Sequence, residues 1–275
     1  MKKLIYLFLA LLMTSCASTS FYQVYNVKTN QETITKTDNL VFEDENCKIS
    51  YNLWSNGGNI GFDIYNKTDE KIYVNLNESN FILNGFANDY YKNRTFTTSE
   101  SKSASASKIS TGSISVTGIN VYNNIQTNQV KRSSSANISS SVGYAVTIKE
   151  DSIIRVPSKT TKRISEYSIN STLIRDCDLF KYPSKNTIKG KSYSIEQSPI
   201  IFSNIIIYES KGERITAQNE FYVSEIANYP ETEFFEYKYD EYCGEKSMSK
   251  TKYYKLYDSD KFYIKYIKGL DTRKH

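Results

Sequence analysis

The sequence predicts an all-β protein, an immunoglobulin-like β-sandwich with additional strands and a serine-rich insertion. Three observations carry that expectation. Beyond residue 17 helical periodicity is hard to find, whereas apolar residues recur at every second position between clusters of Asn, Gly, Asp and Ser. Tyrosine, which favours half-buried sheet surfaces, supplies 24 of the 275 residues. The strand-like segments follow one another with little helix between them, as in a sandwich of antiparallel sheets.

The elements are legible in order. Residues 48–54 place Ile49, Tyr51 and Leu53 on one face, and Asn56-Gly57-Gly58-Asn59 suits a tight turn with positive φ. Ile60, Phe62 and Ile64 follow inward, a wholly polar turn covers 66–71, and Ile72, Val74 and Leu76 resume the pattern, so three antiparallel strands are expected in succession over 48–76. A short apolar piece at 81–85 comes next. Residues 97–143 contain fourteen serines in forty-seven positions and read as an insertion. Within it the even positions from Ala136 to Ile148 are largely apolar, the dyad pattern of a membrane-inserting hairpin, but the partner segment is too polar to hold a strand in lipid. Further strands are expected at 153–156, where Pro157 suits a sheet edge, then at 163–169, 200–208, 215–226, 253–257 and 262–267. The run Ile205-Ile206-Ile207 suggests a central strand buried on both faces.

Ahead of this domain, Lys2 and Lys3 precede a nine-residue apolar run at 4–12, too short to span a bilayer as a helix and suited to a secretory signal. The following Met13-Thr14-Ser15-Cys16 resembles the lipobox of bacterial lipoproteins. The resemblance implies a signal peptide at 1–15 and acyl chains on Cys16, with a single β-sandwich domain over 16–275. Met13 stands where the family usually has leucine. No acid follows Cys16 in residues 17–20, and by the same resemblance this implies the periplasmic face of an outer membrane, with surface exposure as the alternative. Segments 61–85, 156–167 and 221–231 resemble uncharacterised Bacteroidetes envelope lipoproteins, which implies a shared fold and location but carries no activity. Asp151-Ser152-Ile153 resembles the short O-glycosylation signal of the same bacteria, with Ser152 as acceptor. Setting Cys16 aside leaves Cys47, Cys177 and Cys243 in an oxidising compartment, so one disulfide at most is expected and three pairings stay open.

Composition narrows the chemistry. A net charge of +5, or +3 without Lys2 and Lys3, is no footprint for nucleic acid. The one histidine is the terminal His275, which argues against Ser-His or Cys-His catalysis. No metal-ligand spacing and no phosphate loop occur, so no cofactor is expected. Asp240 and Glu241, with Glu231, Glu233 and Glu236, form the densest acidic stretch and read as a solvated face, since Lys238 and Lys246 interleave with them. Asp258-Ser259-Asp260 has two acids one residue apart but lacks the loop of a calcium site. Eight tyrosines lie between Tyr237 and Tyr266 among lysines. Sheet packing is the simpler reading of these. A glycan- or peptidoglycan-binding face using Tyr253, Tyr254 and Tyr257 is the alternative. The expected function is thus a non-catalytic structural or interaction module of the cell envelope, held to a membrane by its N-terminal acyl chains, with an envelope protein or a glycan as partner.

Overall fold

A computed structural model describes residues 20–103 and 141–269. The strands run β1 (Ser20–Lys28), β2 (Ile34–Lys36), β3 (Leu40–Glu43), β4 (Cys47–Tyr51), β5 (Phe62–Asn66), β6 (Ile72–Leu83), β7 (Phe86–Asp89), β8 (Thr95–Ser103) and β9 (Ser141–Lys149). They continue as β10 (Ile153–Val156), β11 (Thr161–Ile164), β12 (Gly190–Ser192), β13 (Ile201–Ser210), β14 (Glu213–Pro230), β15 (Phe235–Tyr242), β16 (Glu245–Tyr254) and β17 (Lys261–Ile267). One helical turn, α1 (Glu231–Phe234), separates β14 from β15.

Two antiparallel sheets form the body. The first has eight strands, ordered β10-β6-β13-β14-β1-β17 with β7 beside β6 and β12 beside β14; the second has five, ordered β11-β5-β4-β3-β2. Period two explains how they meet. Ile49 and Tyr51 of β4 and Phe62 and Ile64 of β5 point to one side and pack on Val74, Phe202, Ile206, Tyr208, Phe221 and Val223 of the larger sheet, all essentially buried. The all-β sandwich is therefore as expected, and its thirteen strands exceed the seven to nine of an immunoglobulin domain.

Three hairpins turn on two left-handed residues each, the conformation that matches strand twist: Asn84-Gly85, Lys211-Gly212 and Cys243-Gly244. The polar turn at 66–71 behaves differently from expectation. β4 and β5 pair, but β5 and β6 lie in opposite sheets, so the turn arches across the core. Alternation cannot tell an arch from a hairpin, because both leave the apolar face inward. The arch is built by Asn66, whose amide donates to the carbonyls of Glu70 (2.6 Å), Val156 (3.1 Å) and Pro157 (3.1 Å). β10 is an edge strand followed by Pro157, as expected. β13 is central, but Ile205 and Ile207 on its outer face are only half-buried.

Polar side chains also tie the layers. Tyr51 accepts from Asn219 Nδ2 at 2.7 Å, Tyr208 donates to Asp44 Oδ2 at 2.6 Å, and Asn204 both donates to the Ile60 carbonyl (3.1 Å) and accepts from the Tyr90 hydroxyl (2.8 Å). Asn204 is fully buried, and an orphaned buried polar group costs about 1–3 kcal/mol. Asn204→Leu orphans two, so urea unfolding should show a loss of about 2–4 kcal/mol. Tyr90→Phe, which leaves only the Asn204 carbonyl oxygen short of a partner, should lose less than that.

β8 and β9 pair over their whole length as a hairpin leaving the sandwich. The rest of the serine-rich stretch, residues 104–140, lies outside the described residues, as do the signal segment, Cys16 and His275.

Candidate functional site

Even-numbered residues of β1 face away from the core, so Tyr22 and Val24 would stand in solvent unless something covered them. α1 and the segment after β16 do so, forming a second, smaller apolar cluster with Phe234 at its centre. Tyr22 stacks on Phe234 with ring centroids 4.0 Å apart and planes nearly parallel, while Phe235 and Tyr263 meet Phe234 edge-on at 4.8 and 5.0 Å. Offset-stacked and edge-to-face pairs of this kind each add about 0.5–1.5 kcal/mol beyond burial.

Trp54 joins the cluster from the other sheet. The chain after β4 docks on the free edge of β17: Gly57 N–H donates to the Tyr263 carbonyl (2.7 Å) and Tyr263 N–H to that of Ser55 (3.2 Å). The turn requires Gly58. Its φ is +74°, and a Cβ there would lie 2.8 Å from Ile169 Cδ1 and 2.9 Å from Phe262 Cγ. So placed, the Trp54 ring lies 5.1 Å from Tyr263, 5.3 Å from Tyr254 and 5.6 Å from Tyr257.

On this cluster opens a hollow of about 340 Å³ walled by the rings of Tyr22, Phe235, Tyr254 and Tyr263, with Lys252, Lys265 and Asn56 at its rim. Lys252 is held, its ammonium 2.8 Å from Glu231 Oε1 and 3.6 Å from the Phe235 ring centroid. Among the described residues Lys265 has no ion-pair partner. Burial, then the neighbouring Tyr254 hydroxyl at 3.2 Å, pushes the Tyr263 phenol well above its ordinary value, so Tyr263 stays a neutral hydrogen-bonding group at physiological pH. The hairpin β15–β16 extends the surface. On one face it carries Phe235, Tyr237 and Tyr239 opposite Tyr254, Lys252 and Lys250, with Lys250 5.4 Å above the Tyr239 ring. On the far side of Trp54 a polar hollow of about 260 Å³ is lined by Ser50, Asn52, Asn59, Asp63, Arg163 and Ser165.

Of the three tyrosines named from the sequence, the structure brings one into this hollow. Tyr254 forms its wall. Tyr253 points to the opposite face of β16, where it and Thr251 donate to Asp240 and hold that carboxyl below its ordinary value. Tyr257 stands beside Trp54 with its hydroxyl accepting from Asn52 Nδ2 at 2.8 Å. Adjacent strand residues face opposite sides, and that alone separates Tyr253 from Tyr254. Sequence reasoning missed Tyr22, Trp54, Phe234, Phe235 and Tyr263, which come from four distant segments. The only signal was the outward phase of Tyr22 in a strand otherwise rich in apolar residues.

The remaining sequence candidates resolve into ordinary contacts. Of the cysteines among which one disulfide at most was expected, Cys47, Cys177 and Cys243 are each free thiols in the structure. Cys47 is sealed between the sheets, where burial and the adjacent Asp44 push its thiol up to about 12. Cys177 and Cys243 are exposed, the latter at a hairpin tip. With Cys16 replaced, a thiol-specific reagent should modify two cysteines in the native protein within minutes and Cys47 only on unfolding. Asp258 and Asp260 grip the ammonium of Lys36 at 2.8 and 2.6 Å, so a cation already fills that place, and among the described residues no group of side chains is arranged for a metal ion. Glu236 pairs with Lys238, and Glu233 lies 3.7 Å from both Lys185 and Lys255. Ser152 precedes β10, half-exposed, its carbonyl accepting from Leu76 N–H at 2.8 Å.

One pair of carboxylates is buried together. Glu150 and Glu166, 1% and 6% exposed at their side chains, converge on Arg94, which donates to Glu150 at 2.6 Å and to Glu166 at 2.7 and 2.9 Å. Glu150 also accepts the main-chain N–H groups of Lys92 (3.1 Å) and Arg94 (3.0 Å). Burial raises its affinity for a proton, but these hydrogen bonds and the guanidinium charge outweigh it and hold the carboxyl below its ordinary value. It is a clamp at the root of the β8–β9 hairpin, unsuited to donate a proton at neutral pH.

No family model matches the chain, and neither a curated protein nor a solved structure matches it.

Proposed function

We propose that this chain is a lipid-anchored protein of the bacterial cell envelope that works by binding, without catalysis, through the aromatic hollow and the tyrosine–lysine face beside it. The observation that carries the binding role is the hollow itself, four aromatic rings fixed by a buried cluster and rimmed by Lys265, which has no ion-pair partner among the described residues. Such walls stack on apolar sugar faces, and the polar hollow beyond Trp54 offers hydroxyl and amide groups to sugar hydroxyls. A glycan, peptidoglycan among them, is the ligand class this chemistry fits. Against an enzyme of carboxylate type stands the distribution of acids. Neither hollow brings two carboxylates together, and the buried pair is matched by two cations, Arg94 and Lys92.

The test is co-sedimentation with purified sacculi at high salt. Tyr254→Ala should weaken retention about tenfold, the equivalent of about 1.4 kcal/mol, whereas Tyr253→Ala should leave it unchanged. Equal loss from both variants, or none from either, removes the hollow from the proposal. Anchoring is tested separately by intact mass and membrane partition of the wild type and Cys16→Ala.

A further inference from the structure

We infer that the end of the sandwich at which β1 begins rests on the bilayer, with Phe180 and Ile267 in the headgroup layer and Lys181 and Lys268 toward anionic lipid. The inference rests on the proposed acylation of Cys16 and says what the folded body does once anchored. Four residue steps separate Cys16 from Ser20, and at about 3.3–3.6 Å per step the chain cannot place Ser20 more than ~14 Å from an acylated Cys16. Ser20 is already in the sheet, paired with Ile267 at the end of β17. The body is therefore tethered by its end, not by a long linker.

What that end displays fits a lipid surface. Phe180 is 66% exposed and Ile267 36% exposed, although both belong to well-fastened chain. The Phe180 carbonyl accepts from Asn228 Nδ2 at 3.0 Å, and the Lys181 carbonyl accepts from the Tyr266 hydroxyl. Tyr182 packs on Phe21 at 5.1 Å, next to the first residue of β1. The ammonium groups of Lys181 and Lys268 lie 5.2 and 5.7 Å from the Tyr182 ring centroid. An exposed phenylalanine held rigid, a tyrosine with its ring half-covered, and two lysines converge on one end, the residue types that partition to the membrane–water interface.

The opposite end supplies the internal reference. β14 pairs with Phe21 at Pro230 and begins at Glu213, seventeen residues earlier, so Lys211 in the turn before it lies far along the strand from the tether. The full acylated protein is reconstituted in phosphatidylethanolamine–phosphatidylglycerol vesicles or kept in detergent, and lysine acetylation by an amine-reactive ester is read by mass spectrometry. In vesicles Lys181 and Lys268 should react about fivefold or more slower than in detergent, and Lys211 at an unchanged rate. Phe180→Asp should restore the reactivity of Lys181 while the acyl mass is retained. Acylated, vesicle-bound protein in which Lys181 and Lys268 label like Lys211 overturns the seating and leaves the anchor standing. Absence of acyl mass on Cys16 overturns both.

Discussion

Phe234→Ala is expected to be the most damaging single substitution on the outer face of the large sheet, costing about 3–5 kcal/mol and abolishing the hollow. Phe234 is fully buried although it lies outside the main core, in contact with Tyr22, Trp54, Phe235, Tyr254 and Tyr263. Removing the ring leaves a cavity that those neighbours cannot close together, because Tyr22 and Tyr263 are fixed in β1 and β17 and Trp54 by the loop on the β17 edge. Trp54 is the only tryptophan in the chain, so its emission reports both the unfolding curve and the packing of the cluster. A red-shifted native spectrum and a lower urea midpoint are the expected results. Phe234→Leu, which keeps most of the apolar volume, should recover more than half of the stability but not the hollow's aromatic wall. An alanine variant with native emission and a loss below about 1 kcal/mol would show that the cluster does not depend on its central ring.

Glu150→Ala should be comparably destabilising, by about 3–5 kcal/mol, since it leaves the Arg94 guanidinium half-paired and two main-chain N–H groups without an acceptor. The group also gives stability a pH dependence with a definite sign. Its folded carboxyl lies below the ordinary value of 4.5, so the unfolded chain takes up the proton first. The stability it contributes is complete above the unfolded value and is lost as the pH falls through the depressed folded value. Wild type should therefore lose stability on acidification below about pH 4.5, and Glu150→Gln should show a shallower acid limb over that same window. Parallel acid limbs for the two proteins would assign the loss to other carboxylates. A local readout follows from position: hydrogen exchange in β8 and β9 should rise in Glu150→Ala more than in β13, because the clamp sits at the root of that hairpin.

Much of the fold was legible because alternation reports burial. Ile49, Tyr51, Phe62, Ile64, Ile72, Val74 and Leu76 were all placed inward from period two alone and all are buried. Pro157 marked an edge because a residue without an N–H cannot continue a ladder. The site was less legible. Tyr254 was found among the tyrosines of the C-terminal region, but Tyr253 and Tyr257 were grouped with it by nearness in sequence, and strand geometry places one on the opposite face and the other beside Trp54. Phe234 looked like part of an acidic stretch, since Glu231 and Glu233 flank it, and nothing local revealed that its ring sits over Tyr22, more than two hundred residues away.

Read alone, the sequence determined the all-β class, which residues face inward, where the serine-rich stretch falls and which catalytic chemistries lack their residues. These are properties of short windows: a side-chain alternation, a turn, a composition. Only the tertiary structure decided which strands share a sheet, that the turn at 66–71 crosses the core, that Lys36 occupies the acids at 258 and 260, and that Tyr22, Trp54, Phe235, Tyr254 and Tyr263 surround one hollow. Those are long-range pairings, and an amphipathic strand satisfies its own burial equally well beside many partners. The choice among them comes from packing volume and hydrogen-bond satisfaction summed over the whole body, which no local pattern encodes.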